Sequence, residues 1–197
     1  MKTPVITLSL STVMVALFVF FGGAPTLFTW ISDTAYIEQF WRLISAHFVH
    51  SDAEHLIWNV AAFTVLGAII EQHSKRDLLL SIIAGVVAVN VYLLGFYSLS
   101  AYVGLSGVLN SVLIIALFHL YKQPAYRMAA LLTAVLSMAK ILFELSSGQS
   151  VFTSLVWPPV PQAHLAGWLG GAALVLITRK SRLELCKQKS HKQAIDV

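Results

Sequence analysis

The sequence predicts an all-α membrane protein, a polytopic bundle of six transmembrane helices forming one domain over residues 1–197. Three observations predict it. Apolar residues make up 57% of the chain and charged residues 11%, against roughly 25% charged in a soluble domain. Six apolar runs, most of about 17 to 22 residues, alternate with short polar breaks, the length needed to cross a hydrocarbon core of about 30 Å. Almost all basic residues fall in alternate breaks.

Lipid offers backbone amides no partner, so each run is expected to close on itself as a helix. The first, 4–23, follows Lys2 and precedes Ala24, as a secretion signal would. It exceeds the apolar stretch of about 7 to 15 residues usual in such signals, and reads as the first helix. The second, 54–71, opens with His55 and Asn59; the third, 78–99, follows Lys75 and Arg76. The fourth, 106–121, opens with Ser106 and is short for a span. The fifth, 125–145, carries Lys140 and Glu144. The sixth, 164–178, opens with His164 after Pro158, Pro159 and Pro161, and leads into a basic tail over 179–197.

Lys2, Lys75, Arg76, Lys122, Arg127 and the basic residues from Arg179 to Lys192 all lie on one side of this six-span arrangement; Arg42 lies on the other. The positive-inside rule makes both termini cytoplasmic. The net charge of +4 then reads as an anchor beside anionic lipid rather than a nucleic-acid surface. Cys186 is the one cysteine, so no intramolecular disulfide forms.

With that orientation, helices two, four and six enter from the outer side, and their first residues are the polar ones. At about 1.5 Å per residue, Ser106 stands roughly 24 Å above Lys122, His55 roughly 24 Å above Glu71 and His164 roughly 22 Å above Arg179. They share one level, below the outer edge of the hydrocarbon. Polar groups at such depth face a cavity or one another. A serine becomes nucleophilic when a neighbouring base takes its proton, and histidine titrates in the useful range. Ser106 and His164 supply that pair. The Ser106 amide, at a helix N-terminus, and the side chains of His55 and Asn59, one turn apart on one face, are candidate donors to an oxyanion. Gly104, Gly107 and Gly167 would let the helices that carry the pair approach closely.

These residues resemble the rhomboid family of intramembrane serine proteases. The matching pieces are Trp41-Arg42 in the first outer loop, His50, His55 and Asn59, Gly-Leu-Ser-Gly around Ser106, and Ala163-His164 with Gly167. The resemblance implies a Ser106–His164 catalytic dyad without an acidic third member. It also implies an oxyanion hole from His55, Asn59 and Ser106, a structural loop motif at Trp41 and Arg42, and no metal or organic cofactor. It implies a membrane-anchored protein as substrate, cleaved in or beside its transmembrane segment. The His-x-x-x-Asn and Gly-Leu-Ser-Gly-Val-Leu stretches are similar to the rhombosortase subgroup. That subgroup implies the bacterial inner membrane, an outward-opening site, and surface proteins with a C-terminal Gly-Gly, apolar helix and basic tail as substrates. Asn110 stands where that subgroup carries histidine.

Other readings of the same residues stay open. A catalytically inactive relative would only bind membrane helices, and a small-solute transporter would want a matched pair of broken helices. His47 and His50 have the i, i+3 spacing of metal ligands, but no acidic ligand clusters nearby. Lys140 could serve as a serine's base, or pair with Glu144 one turn later.

Overall fold

An apolar run in lipid has its own carbonyls as the nearest acceptors, and helices dominate the computed structural model. It describes residues 3–32, 38–95, 99–148, 157 and 160–195, with 180–195 as backbone only. Lys2, positions 96–98 of the expected third span, Pro158 and Pro159 lie outside the described residues, as do the side chains of Cys186 and of the basic tail beyond Arg179.

The helices are α1 (Val5–Phe21), a single turn α2 (Arg42–Ser45), α3 (Ala53–His73), α4 (Lys75–Gly95), α5 (Ser106–Tyr121), α6 (Arg127–Ser147) and α7 (Pro161–Ile195). By length and composition, Ala53–His73, Lys75–Gly95 and Pro124–Ser147 suffice to cross a membrane, while α1 and α5 are shorter apolar helices. The expected runs 4–23, 54–71, 78–99, 106–121, 125–145 and 164–178 fall on α1, α3, α4, α5, α6 and α7. Pro124–Tyr126 forms a 3-10 turn ahead of α6, because proline sets the first turn and donates no amide. α7 does not stop near Thr178 but continues to Ile195.

Ser74 alone separates α3 from α4: its amide donates to the Ile70 carbonyl and its hydroxyl accepts from the Asp77 amide at 3.1 Å. One residue thus closes one helix and caps the next. Two strands add a feature absent from the all-α expectation. β1 (Trp30–Ile31) pairs antiparallel with β2 (Ala101–Tyr102), Trp30 opposite Tyr102. The pairing staples the chain that follows α1 to the chain that enters α5.

α5 is apolar on every side, and ten of its residues are buried, from Gly107 to His119. A helix apolar all round belongs inside. α3, α4, α6 and α7 all pack against it, and α1 packs on α3. The outward faces carry Val19, Phe20, Trp58, Val91, Val135, Leu136 and Leu176, all exposed. Water would not tolerate so much apolar surface; lipid does.

Small residues set the inner spacing. A Cβ on Gly167 would run into the Gly107 carbonyl, and one on Gly171 would lie 2.8 Å from the Ser111 carbonyl, so α5 and α7 meet backbone to backbone. Gly170 meets Ala84 and Ala88 of α4 in the same way. Polar ties complete the bundle: Ser111 donates to the Ser81 carbonyl at 2.8 Å, and the buried Glu71 carboxylate accepts from the amides of Ile6 and Thr7 at 3.0 and 2.9 Å. A carboxylate at the start of α1 also answers the positive end of that helix.

Candidate active site

The N-terminal end of α5 is built by its approach chain. Gly104 has φ +111, and a Cβ there would strike the His55 ring. Only glycine both takes that backbone angle and leaves the ring its place. Its amide donates to the Ala46 carbonyl at 2.9 Å, and its carbonyl accepts from the Tyr102 hydroxyl at 3.1 Å. So held, the chain turns into α5 at Ser106. His164 sits in the first turn of α7, and the Gly107–Gly167 contact brings the two helices together just below. The Ser106 hydroxyl lies 3.0 Å from His164 Nε2.

Both residues line a cavity of about 840 Å³ shared by α3, α5, α6 and α7, whose walls also include His55, Asn59, Asn110, Lys140 and Glu144. Asn110 Nδ2 donates to the Ser106 carbonyl at 2.9 Å. Asn59 Nδ2 donates to the His55 carbonyl at 3.0 Å, which leaves its second amide hydrogen for another acceptor. Asp52 caps α3, accepting from the His55 amide at 2.8 Å. The Ser51 hydroxyl donates to Asp52 Oδ2 at 2.7 Å and lies 3.1 Å from His55 Nδ1. A hydroxyl has one proton, so Nδ1 of His55 is the donor in that contact, and a neutral ring carries its lone pair on Nε2.

The loop residues take structural positions around this centre. Trp41 donates from its indole to the Leu27 carbonyl at 3.0 Å, and Arg42 is buried at the start of α2. His47 lies 3.3 Å from Asn90 Oδ1, while the ring of His50 stands edge-on to that of His55 with centroids 5.1 Å apart. Burial pushes His47 down to about 4 and His50 down to about 3, so both rings are neutral near neutral pH. Among the described residues no group of three or more His, Cys, Asp or Glu is gathered as metal ligands.

A family model described as the Rhomboid domain matches residues 37–181. The chain belongs to the rhomboid family. No curated protein matches it. Rhomboids are in general intramembrane serine proteases that act on membrane-anchored substrates, and this rhomboid is an integral membrane protein.

Lys140 and Glu144 pair on α6, with Nζ 2.7 Å from Oε1. The other carboxylate oxygen of Glu144 is 3.7 Å from His164 Nδ1, a contact that the sequence reading missed. Counting up α6 from Arg127 at about 1.5 Å per residue puts Glu144 roughly 25 Å high, the level of Ser106 and His164. That height was the available signal. The side to which Glu144 turns depends on how α6 rotates against α7, which spacing along one helix does not specify.

Proposed function

We propose that this rhomboid is an active serine endopeptidase of six transmembrane spans, with both termini cytoplasmic, the cavity open to the outer side, Ser106 as nucleophile and His164 as general base. The observation that carries the reading is the 3.0 Å approach of the Ser106 hydroxyl to His164 Nε2, inside a largely apolar cavity at the outer end of the helices. With the hydroxyl donating to an unprotonated Nε2, the proton passes to His164 as the oxygen attacks the scissile carbonyl. The resulting oxyanion faces the Ser106 amide at the start of α5, with Asn59 and His55 as side-chain donors. For Asn59 the donor is its second amide hydrogen. For His55 it is Nε2, once that nitrogen carries a proton. His164 then returns the proton to the leaving amine, and water repeats the cycle on the acyl-enzyme.

The substrate is a membrane-anchored protein cut in or beside its transmembrane segment. A rhombosortase-like preference for a C-terminal Gly-Gly, apolar helix and basic tail is the finer proposal, supported by Gly-Leu-Ser-Gly-Val-Leu at 104–109. Asn110, which stands where that subgroup has histidine, holds the Ser106 carbonyl at the first turn of α5.

The test is reaction of the detergent-solubilised protein with a fluorophosphonate probe. The wild type is expected to label, and Ser106→Ala and His164→Ala to lose labelling while inserting and melting normally. Substantial labelling of either variant would reject the dyad.

A further inference from the structure

We propose that Glu144 is a positioning residue for His164, fixed in turn by Lys140, so that this rhomboid works with an acidic third member; the inference rests on the Ser106–His164 reading above. Glu144 is 1% exposed, although it lies on a helix whose outward face is otherwise given to lipid. A buried carboxylate is unfavourable in such a place unless its charge is answered by its neighbours. Lysine reaches water or headgroups by its own length, and Lys140 is one-third exposed.

The two carboxylate oxygens instead divide their contacts. Oε1 takes the Lys140 ammonium at 2.7 Å, and Oε2 stands 3.7 Å from His164 Nδ1, while Nε2 of the same ring meets the Ser106 hydroxyl at 3.0 Å. The imidazole is therefore bracketed, hydroxyl on one nitrogen and carboxylate on the other. The separation of 3.7 Å exceeds a hydrogen bond. In the resting site the carboxylate acts through its charge, favouring the tautomer with the proton on Nδ1 and the lone pair on Nε2. When His164 takes the Ser106 proton, the ring becomes a cation facing that charge, and the contact tightens directly or through one water. The proton stays on His164 throughout, and Glu144 remains a carboxylate.

Lower down, the Trp168 indole of α7 donates to the Ser137 hydroxyl of α6 at 3.2 Å, which holds the two helices in the register that aligns Glu144 with His164. Among the described residues, the groups around His164 also include His55 from α3, a second ring whose positive form opposes that of His164, and Ser106 from α5. α4 meets α7 at Ala84 and Ala88, with Lys75, Arg76 and Asp77 at its far end.

The test needs no substrate: the rate of Ser106 labelling by a fluorophosphonate is followed against pH for the full chain in detergent, beside its melting temperature. Glu144→Gln is expected to label roughly 10- to 100-fold more slowly across the profile. Glu144→Asp should recover part of the rate. The double variant Lys140→Met/Glu144→Gln removes both charges together; it should fold and label as slowly as Glu144→Gln, and it carries the test alone if the single variant does not fold. A Glu144→Gln profile matching the wild type overturns the proposal. So does a double variant restored to the wild-type rate, since the defect would then belong to an unpaired lysine. A wild type that does not label, or labels equally as Ser106→Ala, overturns the dyad itself, a different failure from loss of the Glu144 effect alone.

Discussion

Asn59 and His55 lie on one face of α3, yet their surroundings give them unequal means of stabilising an oxyanion. Asn59 keeps an amide hydrogen after bonding the His55 carbonyl. His55 directs its Nδ1 proton toward Ser51, so its Nε2 donates only in a doubly protonated ring. Asn59→Ala is accordingly expected to lower turnover about 10²-fold, with a loss of stability of about 1 kcal/mol from the missing bond. Melting temperature and single-turnover acylation on one preparation separate the two effects. A destabilised enzyme with normal turnover per folded molecule would end the oxyanion assignment. At this scale the sequence is most legible where depth alone decides. Ser106, His164 and His55 lie in the first turns of their helices at one level, with Asn59 one turn farther in, which counting reveals. The proton arrangement among Asp52, Ser51 and His55 depends on hydroxyl direction, and the turn of Glu144 toward His164 depends on helix rotation. Neither leaves a periodic trace.

Between elements, the α5–α7 seam links packing to chemistry. Gly167 faces the Gly107 carbonyl with no room for a methyl group, and one turn before it in the chain α7 carries His164. Gly167→Ala should cost about 3 kcal/mol by overpacking and also slow fluorophosphonate labelling, since relief of the clash moves His164 away from Ser106. Gly95→Ala is the matched control, because a Cβ there meets no atom of the described residues within 4 Å. Equal melting and labelling of the two variants would remove the seam from the account. Lipid-embedded helices favour small residues where they touch, and Gly107 and Gly167 lie at this seam, whereas Gly104 precedes α5 and leaves room for the His55 ring instead. The β1–β2 staple was not legible in the sequence: two residues on each side, seventy positions apart, carry no alternation long enough to be seen.

For the whole molecule, orientation rests on the basic residues. With the C-terminus cytoplasmic, Cys186, the chain's one cysteine, should react with a membrane-impermeant maleimide in inverted vesicles and be protected in intact cells. The opposite pattern would invert the proposed topology and place the cavity mouth on the cytoplasmic side. Composition legibly marks a membrane protein, but it does not rank the helices from outer to inner. α5 takes the centre because it is short and apolar all round, and α7 is the helix it meets most extensively. That arrangement bears on assembly. α7 follows α5 and α6 in the chain, so the glycine face of α5 must wait, already made, through the synthesis of α6 and the chain that follows it. Until α7 arrives, Ser106 has no His164 beside it. If the proposed dyad holds, a nascent chain of this rhomboid is inert toward its neighbours, and the step that completes its packing is the same step that arms it.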